Sequence, residues 1–199
     1  AARRIDGGEQ FFTRANDFGY SKHPEETLDI WDKEKVLSDV VWAIRTFKPD
    51  VIINRFNHRT PGTTHGHHTT SAMLSLEAFD LADDAINFSD QLKYTDIWQP
   101  KRVYFNTSSW FYKTEEAFKN ATEGKLTSVD VGVYYPLKGL SNNEVAALAS
   151  SQHLCQGFGR LTNRGSQKEF LEFLKGDRPK DSNDIFAGIN TTWNRLQGG

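Results

Sequence analysis

Residues 47–68 read FKPDVIINRFNHRTPGTTHGHH, and the order of signals in this stretch decides the fold. Pro49 closes whatever precedes it, because proline cannot continue a helix and biases its neighbour out of the helical region. Val51, Ile52 and Ile53 then make a short apolar block suited to a strand buried on both faces of a parallel sheet. A polar loop follows over residues 54–64, with Pro61 and Gly62 as turn residues. HGHH, residues 65–68, opens the next periodic segment. Working back from Pro49, Val36, Leu37, Val40, Val41, Ile44 and Phe47 recur at helical spacing. Helix, short link, buried strand, loop and helix is the rhythm of an α/β fold.

Further along, Ala72, Leu76, Phe79 and Ala82 predict a helix over residues 65–85. Residues 102–106 (RVYFN) and 129–135 (VDVGVYY) read as strands. Ser141 with Glu144 forms a capping box for a helix carrying Val145, Leu148 and Ala149, which stops near Gly157 and Gly159. Ser166 with Glu169 repeats the box before residues 170–174 (FLEFL), predicting a last helix that ends at Gly176. Residues 1–12 resemble the end of a helix running into a Gly-Gly break, and residues 16–22 (NDFGYSK) a short strand or loop. The expected organisation is one domain over residues 1–176, with 177–199 a linker or peripheral helix.

A chain of 199 residues suffices for one well-packed domain, and 37% hydrophobic content supplies its core. The net charge of −2 and the scattered lysines and arginines argue against a nucleic-acid partner. No apolar stretch approaches the ~20 residues of a membrane span. Cys155 is the single cysteine, so no internal disulfide forms, and the compartment stays open between cytoplasmic and secreted. Aromatic residues such as Trp110, Phe111 and Tyr112 fall in predicted loops, where they suit carbohydrate stacking or ordinary packing.

His58, His65, His67 and His68 place four of six histidines within eleven residues. The cluster follows a buried strand and starts a helix, which is where loops leave the carboxyl ends of strands and build sites. His65 and His68 stand three apart, so both can face one side of the first helical turn as zinc ligands, or as a ligand beside an acid/base group. Cys155 and His153, two apart on a helix, point to different sides and cannot act together. No G-x-S-x-G elbow and no Gly-rich phosphate loop is present.

The segment 55–78 (RFNHRTPGTTHGHHTTSAMLSLEA) resembles the second metal motif of the PIG-L/LmbE-like N-deacetylases, often His-Pro-Asp-His in that family. The upstream helix through Trp31, the FKPDVIIN strand entry and the SQHLCQGFG segment are similar too, so the resemblance covers residues 3–159. It implies a Rossmann-like three-layer α/β sandwich with a mostly parallel sheet and one zinc ion. The implied activity is metal-assisted hydrolysis of an N-acetyl group on an amino sugar or glycoconjugate. It assigns His68 as a zinc ligand and His65 as the catalytic imidazole that stabilises the oxyanion. His67 stands where the family usually has Asp, and with Arg55, His153 and Gln156 it is a candidate substrate contact.

The family's first motif, Ala-His-Pro-Asp-Asp-Glu, does not occur in these residues, and HPEE at residues 23–26 matches it only superficially. The resemblance therefore places that motif and its N-terminal strands upstream of Ala1, and leaves room for a further domain after Gly199. On this expectation the zinc site is incomplete in this chain, which binds zinc weakly alone, while the intact protein is the hydrolase. Two alternatives stand beside it: a non-catalytic carbohydrate-binding module on the same fold, and an amino-sugar phosphate deaminase. The reading requires His65 and His68 to line one cleft beside a free sheet edge.

Overall fold

The computed structural model describes residues 2–158, 163–181 and 183–196. The chain divides into two compact units, one of Ala1–Phe11 with Ser128–Phe170, the other of Phe12–Thr127 with Leu171–Gly199.

In the larger unit, α2 (Pro24–Leu28) and α3 (Lys33–Phe47) precede β1 (Val51–Asn54). Asp32 caps α3 by accepting from the Lys35 amide at 3.2 Å, and Lys48 ends it in the left-handed conformation, φ 55°. Of the six apolar positions read from the sequence, four are buried, Val40 is partly buried, and Phe47, in the last turn, is exposed. Val36, Leu37, Val41 and Ile44 pack against Leu74, Ala78 and Ala82 at the next helix, α4 (Gly66–Leu81). Each such side chain withdrawn from water contributes about 1.5–3 kcal/mol. Ile52 joins this cluster and so ties β1 to the helical layer.

From α4 the chain crosses to β2 (Arg102–Thr107), which lies parallel to β1 with Val51 opposite Arg102 and Asn54 opposite Phe105. This is the strand–helix–strand crossover expected from the sequence. After α5 (Glu115–Gly124) come β3 (Leu126–Asp130) and, much later, β6 (Lys168–Gly176). The four-stranded sheet has the order β1-β2-β6-β3. β1 is an edge strand, so its outer edge is unpaired among the described residues. The carbonyl of Asp50 accepts from the Arg102 amide at 3.3 Å. By strand alternation, the amides and carbonyls of Val51 and Ile53 point to that outer edge.

Two expectations are corrected here. The sheet is mixed rather than mostly parallel: Asp177 donates to the Lys101 carbonyl and Phe173 meets Tyr104 at 5.7 Å, so β6 runs antiparallel to β2. Residues 170–174 belong to this strand, not to a capped helix. Ser166 spends its hydroxyl on Asp130 at 2.7 Å instead of on a helix start. Phe170, Leu171 and Phe173 are also at home in a sheet, where they pack against neighbouring strands. Gly176 is needed at the strand end, because at φ 93° a Cβ would stand 2.2 Å from the Lys101 carbonyl oxygen.

The predicted helix over 65–85 is shorter, ending at Leu81. The tail after Gly176 is irregular up to a single 3₁₀ turn, Trp193–Leu196. Arg102 holds it by donating to the carbonyls of Ile185 and Ala187 at 2.8 and 3.0 Å, and Arg195 pairs with Asp50 at 3.0 Å. Ser182 and residues 197–199 lie outside the described residues.

The smaller unit carries α1 (Ala2–Asp6), the hairpin β4 (Tyr134–Tyr135) and β5 (Leu140–Ser141), and α6 (Asn142–Ser150). The strand predicted over 129–135 is therefore split between the end of β3 and β4. The Ser141/Glu144 capping box forms as the sequence predicts, with the Ser141 amide donating to Glu144 at 2.9 Å. α6 stops at Ser150, well before Gly157; Gly159 lies outside the described residues. No helix among the described residues is long and apolar enough to cross a membrane.

Candidate metal centre

The site grows from the end of β1. Asn54 closes the strand, the loop of residues 55–64 turns at Gly62 (φ 80°), and His65 enters α4 in extended conformation. His65 does not cap the helix with its imidazole. A helix start leaves its first amides without intrahelical partners, and here a remote residue supplies them. The Ser21 carbonyl accepts from the Gly66 amide at 2.9 Å and its hydroxyl from the His67 amide at 3.2 Å. Ser21 is itself buried and bonded to Thr27 at 2.9 Å.

This capping explains the glycine of HGHH. The backbone of residues 21–23 lies so close that a Cβ at Gly66 would stand 2.2 Å from the His23 carbonyl oxygen. With the amides capped from outside, the three imidazoles are left free to converge.

His65, His67 and His68 each offer a ring nitrogen, and these atoms lie within 4.8 Å of one another. The His65 and His68 rings are parallel within 9° at 5.1 Å, while His67 stands nearly perpendicular to both, 5.3 and 4.5 Å away. Aromatic side chains brace the group. Phe56 stacks on the other face of His68 at 3.8 Å, Phe18 meets the edge of His67 at 6.0 Å, and Tyr20 meets His65 at 5.1 Å.

Zn–N distances of about 2.0–2.1 Å imply ligand nitrogens about 3.3–3.4 Å apart in a tetrahedral site. The three ring nitrogens, within 4.8 Å of one another, are near that spacing. The donor set therefore fits a divalent transition metal, and imidazole suits zinc, copper or nickel. Where the sequence resemblance names His68 alone as ligand, the geometry gathers three nitrogens around one point.

The electrostatics suit the same use. Burial first, then its imidazole neighbours, hold His67 and His68 below the ordinary value of 6.5, while the Asp17 carboxylate opposes this at His67. Both are neutral near pH 7, with a lone pair available to a cation.

His58, the fourth histidine of the cluster, lies apart from this group. Its Nδ1 is buried without a hydrogen-bond partner, and burial, with the nearby Arg59 charge, lowers its pKa. In unfolded chains these three imidazoles protonate near 6.5, so below that pH the unfolded state binds more protons than the folded one. With His58, His67 and His68 held below that value in the fold, the metal-free protein is expected to lose melting temperature as the pH falls below about 6.5. Replacing His58, His67 and His68 with glutamine flattens that slope. A melting temperature that rises on acidification would show that these imidazoles are charged in the fold.

The other predicted residues are placed as follows. Arg55 reaches across the strand ends to the Asn106 carbonyl at 3.4 Å and lies 5.9 Å from the Phe56 ring, at the same pole as the triad. His153 and Gln156 belong to the smaller unit, where His153 lines a cavity with Arg3, Asp6 and Gln152. HPEE is a helix start: Glu26 accepts from the amides of Lys22 and His23 at 2.6 and 3.4 Å.

Sequence reasoning missed Ser21, Phe18, Tyr20 and Phe56, which orient the imidazoles. It also missed Arg59 and Glu172, which face each other as a two-pronged ion pair at 2.9 and 2.5 Å. An aromatic residue directly after Arg55 was the one available signal. Compared with family models and with curated proteins, the chain matches none.

Proposed function

We propose that the His65–His67–His68 group is the metal pole of a zinc-dependent hydrolase that removes an N-acetyl group from an amino sugar. The observation that carries this is the convergence of three imidazoles at the start of α4, which follows the carboxyl end of β1 in the chain, with burial holding His67 and His68 below the ordinary histidine value. That is the position at which open α/β sheets build their sites. The Rossmann-like kinship of the fold is part of the same proposal.

His68 is the anchoring ligand, since Phe56 and His65 hold its ring on both faces. His65 is exposed, and in this reading its imidazole hydrogen-bonds the oxygen as the amide carbonyl becomes tetrahedral. His67 and Arg55 stand at the rim for the sugar. When bound, zinc supplies Lewis-acid polarisation and a water that ionises near neutral pH.

The test is acetate release from N-acetylated amino sugars by the zinc-loaded full-length protein. Acetate is expected to appear with zinc and to stop with a chelator. Ammonia in place of acetate would move the reading to a deaminase. Neither product from any amino sugar tried would leave the carbohydrate-binding module as the better account.

A further inference from the structure

A cavity of about 400 Å³ opens in the larger unit, within the size range of small-molecule sites (~300–1,000 Å³). Its residues come from β2, the aromatic loop after it, α5, the start of β3 and β6. Phe105, Thr107 and Ala121 are buried at its floor, whereas Asn120 and Lys125 are exposed at its mouth. Phe111 stands edge-on to Phe105 at 4.8 Å and extends the apolar lining.

A charge count separates the ligand classes. Three charged residues line the cavity: Arg59, Glu172 and Lys125. Arg59 and Glu172 cancel, because each carboxylate oxygen takes one guanidinium nitrogen, at 2.9 and 2.5 Å. Lys125 enters no ion pair among the described residues, so the lining carries one net positive charge. The hydrogen-bonding groups lean the same way. Asn57 accepts from the Arg59 amide at 2.9 Å and from its Nε at 3.1 Å, which leaves the Asn57 amino group as the donor still on offer. Thr107 and Tyr112 are hydrogen-bonded to each other. The side chains of Asn120 and Lys125 have no hydrogen bond among the described residues.

One surplus positive charge and a surplus of donors, over aromatic rings, match a flat apolar molecule that ends in a single acceptor-only anion. A second negative charge would share the cavity with the Glu172 carboxylate, which disfavours a phosphate dianion. We propose that this cavity binds an aromatic monocarboxylate, with its carboxylate on Lys125 and Asn120 and its ring against Phe105 and Phe111. The site is separate from the histidine group and does not rest on the hydrolase reading.

Calorimetry on the full chain, with a chelator present so that no metal takes up the probe, uses 3-phenylpropionate as ligand and its amide as the neutral control. Saturable binding of the acid is expected, with the amide about 10-fold weaker or more, the loss of a charge-assisted hydrogen bond. Lys125→Met, at an exposed position, brings the acid down to the affinity of the amide, and Lys125→Arg restores it. Added salt weakens the acid in the wild type and not in Lys125→Met. Phe111→Ala weakens acid and amide alike, and a thermal melt reports whether that variant is folded. No saturable binding of the acid, equal affinity for acid and amide, or an unchanged affinity in Lys125→Met overturns the proposal. So does displacement of the acid by an equal concentration of inorganic phosphate or N-acetylglucosamine, which would give the cavity to another ligand class. Acetate release bears only on the histidines, so the two readings fail separately.

Discussion

Replacing Arg45 with methionine lowers the unfolding free energy by about 3–5 kcal/mol, the scale seen when a buried charge network is broken. Arg45 is fully buried, yet its guanidinium meets no carboxylate at salt-bridge distance among the described residues. Its Nε donates to Ala82, Nη1 to Phe88 and to the Gln91 side chain, and Nη2 to Leu81, Asp84 and Asn87, at 2.6–3.1 Å. Five of these acceptors are backbone carbonyls between the end of α4 and residue 88. Burial lowers the Arg45 pKa, with the Asp84 charge opposing, but a guanidinium stays ionised far above any working pH. One cation thus organises the whole segment that leads from α4 toward β2.

Methionine keeps the apolar stem and removes every donor, so the loss reports hydrogen bonding rather than a cavity. Each buried carbonyl left without a partner costs about 1–3 kcal/mol, less where water enters. Lysine offers three donors without the planar fork and recovers only part of the loss. Urea titration reads the free energy directly, and hydrogen exchange localises it: amides of residues 82–91 lose protection first. A methionine variant within 1 kcal/mol of wild type in urea would mean that solvent satisfies these carbonyls as well as Arg45 does.

The contrast between Arg45 and the helix that carries it marks what a sequence discloses. Val36, Leu37, Val41 and Ile44 announce the buried stripe of α3 by their spacing, and Pro49 announces its end. Arg45 gives no such sign, because its partners lie 36 to 46 residues away. β6 failed for a related reason. Ser166 and Glu169 satisfy the local grammar of a helix start, but the choice between helix and strand is made by Tyr104 on β2 and by Lys101 just before it.

At the site, HGHH was legible as a strand-to-helix junction rich in ligands. The hand that caps it, Ser21, and the ring that backs it, Phe56, depend on tertiary approach. The candidate substrate contacts His153 and Gln156 could not be placed from spacing, and they lie in the other unit.

His68→Ala and His65→Ala are expected to fail in different ways, and that difference separates a ligand from a catalytic donor. The His68 ring is held between Phe56 at 3.8 Å and His65 at 5.1 Å, so its orientation is fixed before any metal arrives. Removing it takes away the ring that stacks on Phe56 and leaves a vacant space there. Zinc stoichiometry measured after dialysis then falls from about one toward zero, and acetate release falls with it to background.

His65 sits outside the helix proper, exposed, with the Tyr20 edge and the His67 and His68 rings beside it. A donor that meets the oxyanion in the transition state contributes about 2.7–4 kcal/mol, or 10²–10³ in kcat. His65→Ala is therefore expected to keep its zinc, to change KM little and to lose that factor in kcat. His65→Gln, which retains a hydrogen-bond donor, restores part of it. If His65→Ala loses zinc as completely as His68→Ala does, His65 is a ligand and the oxyanion role must pass to another group. If it keeps both zinc and full turnover, the imidazole has no part in the chemistry and the hydrolase mechanism built on HGHH falls.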